Sequence, residues 1–151
     1  MRAIGWLEHP QVFNTAPSPA NLVPKLKAIV KQSREAYPHY CFRGVKDCSV
    51  CVAGKLPSPG PIWSQENIFV PGSGVVYVAP GGIPHYVEVH SYLPAIEFVD
   101  AVLGCADCRT HEYRVALRAA NRGKEPPLKD YETHKLEFFE ALKKIRDRNK
   151  T

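Results

Sequence analysis

Four of the chain's five cysteines fall into two pairs of identical spacing, Cys48 and Cys51 in "KDCSVC" and Cys105 and Cys108 in "GCADCRTH". No other feature narrows the possible folds as much. Two residues between thiols let a tight turn aim both sulfurs at one ion, and thiolates hold zinc tetrahedrally at about 2.3 Å. Turn amides can hydrogen-bond to the same sulfurs. Two pairs complete a four-ligand site, so Cys48, Cys51, Cys105 and Cys108 are the expected ligands of one structural Zn2+ ion, although iron accepts four thiolates as well. Such a site would tie together segments 53 residues apart. In a variant of this reading, histidines replace one of the two pairs.

Other uses of C-x-x-C fit less well. A thioredoxin-like redox pair should follow a strand in a βαβ unit, and neither pair has that setting. Cysteines can also be merely buried, which is the simplest account of Cys41 in the apolar run "HYCF", although Cys41 could serve as a spare ligand. The N-terminal stretch "MRAIGWLEHPQVF" has one early basic residue and no long apolar run, so a cytoplasmic chain with reduced thiols is expected. No stretch nears the roughly 20 apolar residues of a membrane span.

Hydrophobic residues make up 44% and charged residues 23% of 151, the balance of one ordinary folded domain, and fourteen prolines point to short elements joined by many loops. Charge divides that single domain, residues 1–151, into three parts. Residues 1–47 carry seven Lys/Arg against three Asp/Glu, residues 48–108 one against five, and residues 109–151 twelve against seven. The metal-bounded middle is acidic, which offsets a bound dication, and both ends are basic.

Periodicity supplies the elements. Leu22, Leu26, Ile29 and Val30 recur at helical spacing, with Asn21 placed to cap the helix and Pro38 to end it. Ile68–Val70 and Val75–Ala79 flank "PGSG" and read as a hairpin whose turn is longer than the tightest kind. Three more helices follow. One starts after Gly82 with Pro84 in its first turn, one buries Ile96, Val99, Val102 and Leu103 before Gly104, and one runs from the second cysteine pair through Tyr113, Ala116, Leu117 and Ala120. A last helix is expected from about Asp130 to Arg148. The fold class is α+β, mostly helical, with a small antiparallel hairpin next to a C-x-x-C/C-x-x-C metal site.

The histidines are harder to place. His85 and His90 bracket "YVEV" with Glu88 between them. Five residues of ideal helix turn about 500°, which sets the two rings roughly 140° apart and argues against a shared ion unless the helix breaks near Val89. His111, three residues beyond Cys108, is a candidate second donor beside a sulfur or an alternative ligand.

Two resemblances follow from these residues. The knuckle "KDCSVCVAGK", a hairpin, and a cysteine pair at a helix start is similar to a treble-clef zinc finger, with a longer gap between the pairs. The segment "VYVAPGGIPHYVEVHSYLPAIEF" resembles a stretch of small uncharacterised bacterial proteins with an HY-x-x-x-H motif, here His85, Tyr86 and His90, followed by Pro94 and Phe98. That resemblance implies no activity.

Function is read from these pieces. Four protein ligands leave no open coordination position, which favours a small zinc-stabilised interaction or adaptor protein, for example a toxin-neutralising partner, acting on another protein and not as an enzyme. A nucleic-acid binder or HNH-like nuclease is the alternative, because treble clefs occur in such nucleases and Arg114, Arg118 and Arg122 form one stripe of the expected helix. A zinc hydrolase using His85, Glu88 and His90 is a third reading, which ideal helical geometry disfavours.

Overall fold

In the computed structural model, the described residues are 1–37, 47–57 and 66–124. The β-branched runs form the expected hairpin. β2 (Asn67–Gly72) and β3 (Val75–Pro80) pair antiparallel, with Gly72 opposite Val75. Only Ser73 and Gly74 make the turn, which is tighter than the sequence suggested. Gly74 meets it at φ 67°, where a Cβ would be strained. A strand with no periodicity to betray it, β1 (Arg2–Ala3), runs parallel to β3. The sheet order β1-β3-β2 leaves β2 at an edge, where Pro71 is tolerated.

Helices cover this sheet. α1 (Leu22–Ala36) buries Leu22, Leu26 and Ile29, the stripe read from the sequence. Asn21 precedes it in a helical conformation and makes no side-chain cap, so the start is held instead by backbone contacts such as Lys25 N donating to Asn21 O at 3.2 Å. α2 (Ser49–Ala53) is the short helix of the cysteine knuckle. α3 (Ile83–His90) leaves β3 through Gly82, with Pro84 in its first turn as expected. α4 (Ile96–Leu103) buries Phe98, Val99 and Val102, whereas Ile96, expected inside, is 65% exposed. Phe98 takes the inward place, its ring edge-on to Tyr77 of β3.

α5 (His111–Ala120) begins later than the sequence suggested. Thr110 caps it, its hydroxyl accepting from Tyr113 N at 3.3 Å. Cys105 and Cys108 therefore precede the helix and do not sit on its first turn. Tyr113 is fully buried and donates its hydroxyl to the Phe69 carbonyl of β2 at 2.6 Å. α4 and α5 pack on β2, and α1 packs on α3 and α4. Burying one Leu of this core contributes about 1.5–3 kcal/mol. Among the described residues, five helices and a small three-stranded sheet thus form one small α+β domain, and its hairpin leads straight into the helix that carries His85 and His90. The helix expected at 130–148, and Cys41, lie outside the described residues. No helix among the described residues is long and apolar enough to cross a membrane.

Candidate metal centre

The knuckle is built by Cys48 itself. Cys48 is the N-cap of α2, and its sulfur accepts from Cys51 N at 3.4 Å, the amide–sulfur contact expected of a C-x-x-C turn. Val52 N donates to Cys48 O, and Leu56 N to Cys51 O, folding the chain back around the second sulfur. His9 N donates to Ser49 Oγ at 3.0 Å and ties the N-terminal segment to the knuckle. Further along that segment, Gly5 at φ 79° passes so close to α3 that a Cβ there would lie 2.8 Å from Ile83 Cδ1.

α3 brings the other half. His90 is its last residue, and Ser91 leaves the helix at φ 52° in the left-handed region. The ideal-helix argument that set the two rings apart fails here. His90 has no following turn to fix its ring, and both long imidazoles swing toward the sulfurs between them. His85 Nε2 and His90 Nε2 lie 3.2 Å apart. Cys51 Sγ is 3.3 Å from each of them, and Cys48 Sγ is 3.3 Å from His90 Nε2. All four ligand atoms fall within 4.8 Å of one another. A tetrahedral zinc with ordinary bond lengths sets N···N edges of about 3.3 Å and S···N edges of about 3.6 Å. The imidazole spacing matches that cage and the three S···N spacings fall slightly inside it, so these residues fit a bound metal ion.

The surroundings suit it. Cys48 and Cys51 are fully buried in a small apolar cluster with Leu7 and Tyr86, flanked by Phe13, Val50 and Tyr92. The imidazoles are partly exposed at its rim. Burial, then the neighbouring His90, holds His85 below the usual histidine range, with Glu88 opposing, and burial does the same to His90. Both rings are thus kept neutral, as ligands must be. Without an ion, burial and the adjacent Cys48 push the Cys51 thiol up to about 11, so metal entry must displace its proton. Tyr86 is pushed up to about 12 by burial and then by Cys48, Glu8 and Cys51. Two thiolates and two neutral imidazoles around a dication sum to zero charge, which an apolar pocket tolerates far better than the net −2 of four thiolates.

The four-cysteine ligand set expected from the sequence is not assembled. Cys105 and Cys108 belong to the main core, docked on α1. Lys25 Nζ donates to Cys105 O at 2.6 Å, Cys108 N donates to Gln32 Oε1 at 3.3 Å, and the Cys108 thiol points at Ile29 O. α4 packs between β2 and α1 and carries this pair away from α3. The variant in which histidines replace one pair is the one the geometry displays. His111, weighed as a second donor, is exposed at the start of α5 and is no member of the cluster. Glu88 faces outward and pairs with Lys27 at 2.8 Å. The arginine stripe is shortened. Arg114 and Arg118 are exposed on α5, but the helix ends at Ala120. Arg122 turns left-handed at φ 59°, with Gly123 N donating back to Arg118 O.

A family described as "Domain of unknown function (DUF7919)" matches residues 1–103, about two thirds of the chain, and the chain belongs to that family. The matched stretch holds all four convergent ligands and stops short of Cys105. No curated protein and no solved structure matches the chain.

Proposed function

We propose that this chain is a small zinc-stabilised interaction protein whose metal clamps the fold and does no chemistry, and whose partner is another protein. The convergence of Cys48, Cys51, His85 and His90 within 4.8 Å supports this reading most directly. Four protein donors fill a tetrahedron, whereas catalytic zinc keeps one position for water. The ligand types favour zinc among the available dications, because mixed thiolate and imidazole donors in a tetrahedral arrangement suit it best. Such an ion would fasten α2 to α3 and hold the N-terminal segment that Ser49 and Ile83 contact. Exposed apolar side chains support the partner half of the reading. Trp6, Val12 and Ile96 are 41%, 93% and 65% exposed, and all three line one groove of about 730 Å³ between the N-terminal segment and residues 92–96. The outward pairing of Glu88 with Lys27 argues against the hydrolase reading, since the carboxylate that lies between the two histidines in the chain turns toward solvent.

Elemental analysis of the purified chain tests this proposal. One zinc per chain is expected, with Cys48 and Cys51 shielded from alkylation and a marked fall in melting temperature when a chelator removes the ion. A chain that holds no stoichiometric metal, or whose melting point ignores chelation, would overturn it.

A further inference from the structure

The sheet ends on one side in β1, whose two residues are exposed. We propose that this edge and the groove beside it take up an extended peptide of a partner protein, apolar and carrying one carboxylate, which adds to β1 as an antiparallel strand. This rests on the reading that the partner is a protein and names the form in which that partner binds.

The backbone of β1 points to such a ligand. It pairs parallel to β3 with Arg2 beside Tyr77 and Ala3 beside Val78, and Ile4 N donates to Val78 O at 2.9 Å. In a parallel ladder of this register the bonds to β3 come from the residues on either side of Ala3. Alternation then turns the Ala3 N–H and C=O to the open side, where they meet no partner among the described residues. A donor and an acceptor on one residue, both facing outward, match one residue of an antiparallel neighbour through two bonds. A helical partner has no such pair to give in its interior, because its own turns use those groups. Gly5, at φ 79°, takes the chain out of the strand, so the edge offers this one pair. So short an edge does not template indiscriminate sheet growth, and selection falls to the side chains around it.

Those side chains suit an extended apolar segment. Ala3 lines the groove of about 730 Å³ that also holds Trp6, Val12 and Ile96, three exposed apolar side chains. Alternate side chains of a bound strand recur about 6.6 Å apart on one face and would lie against them. Gln11 and Asn14 line the same groove and bring side-chain amides, which can both donate to and accept from a peptide backbone. Arg2 is the one charged side chain among the described lining residues, and no carboxylate among the described residues pairs with it. An acid one position from the residue paired with Ala3 would stand opposite Arg2 and complete it.

The test uses the full chain loaded with zinc, panned against a displayed library of random linear nonapeptides. Enriched sequences are then synthesised and titrated onto the chain while its amide resonances are followed. The expected peptides share alternating apolar residues and one Asp or Glu, and their binding shifts the Ala3 amide and slows its hydrogen exchange. Ala3→Pro removes the outward N–H and no bond of the sheet, so it should weaken these peptides about tenfold at unchanged zinc content and melting temperature. Val12→Asp, at a side chain 93% exposed, should weaken them similarly. Arg2→Glu should turn the selection toward basic peptides. Should Ala3→Pro fail to fold, Val12→Asp and Arg2→Glu decide. Three results would overturn the proposal: no enrichment over the Val12→Asp chain, peptides that bind all three variants as well as the unaltered chain, or a second copy of the chain occupying this edge in sedimentation. Peptides indifferent to the variants would leave the protein-partner reading standing with its site elsewhere. Peptide binding by a chain that holds no zinc would count against the metal clamp and not against this edge.

Discussion

The two C-x-x-C pairs share a spacing and nothing else. Cys48 and Cys51 sit on a capped knuckle that faces two imidazoles across a small apolar cluster. Cys105 and Cys108 sit in a loop pressed onto α1, among core side chains, with Tyr113 and each other for company. Spacing sets how two sulfurs relate to each other. It says nothing of what stands opposite, which is decided by the packing of α3 in one case and of α4 on α1 in the other. The same motif then meets two imidazoles in one place and core side chains of α1 in the other.

The sharpest way to break that contrast is to remove one sulfur from each pair. Cys48→Ser or His90→Ala should release the zinc and cost several kcal/mol, on the order of what a buried tetrahedral site contributes to a small domain. Cys105→Ser should keep the zinc and cost only about 1–2 kcal/mol, as expected of a small buried substitution. Metal content and melting temperature measured on the same samples separate the two. Equal zinc loss from both variants would restore the four-cysteine site.

Much of this layout was legible in the sequence. The α1 stripe of Leu22, Leu26 and Ile29, the Pro84 helix start and the hairpin all follow local rules of period and turn chemistry, and they stand where those rules put them. Cys48 and Cys51 were legible as a close pair for the same reason, and the structure sets them against His85 and His90. His85 and His90 were visible as candidates, but their convergence depends on where α3 stops, and a helix end is set by one residue, Ser91 at φ 52°. Nothing in "VHSY" announces that conformation. The exclusion of Cys105 and Cys108 was not legible at all, because it rests on contacts with Lys25, Ile29 and Gln32 that are more than 75 residues away in the chain. The strand β1 was missed because two residues carry no period.

The contrast sharpens with pH. His85 and His90 are both held below their ordinary range by burial. An unfolded chain therefore takes up protons on these rings, as pH falls through about 6.5, that the folded chain refuses. Stability is complete above that pH and is lost below it, down to the depressed values of the folded state. Metal strengthens the effect, because protons compete for the same nitrogens and for the thiolates. Melting temperature of the zinc-loaded chain should fall between pH 7 and pH 5 as zinc is released. Among the described residues, Cys105 and Cys108 belong to no cluster with a histidine, and this pair should not contribute. A His85→Ala, His90→Ala double variant should show a flatter profile over the same window. An equally steep profile in that variant would place the titration elsewhere.

The smallest expected effect belongs to Glu88, and it bears on whether the metal side of the comparison is a reaction centre. Glu88 lies between the two histidine ligands in the chain, the position a general base would take on a catalytic helix. In the structure its carboxylate reaches outward to Lys27, at 2.8 and 2.9 Å, and both side chains are about half exposed. An exposed pair of this kind is worth about 0–1 kcal/mol, because water screens it and two long side chains must be ordered to make it. Glu88→Gln should therefore keep the zinc, shift the melting temperature by no more than a few degrees, and leave partner binding intact. A purified chain assayed against ester, peptide and phosphodiester substrates should show no turnover that this variant alters. If metal-dependent hydrolysis is present and falls with Glu88→Gln while zinc content holds, the carboxylate is acting on substrate. The closed four-ligand cage would then have to open a position during reaction, and the knuckle pair would have to be reread as a catalytic half-site.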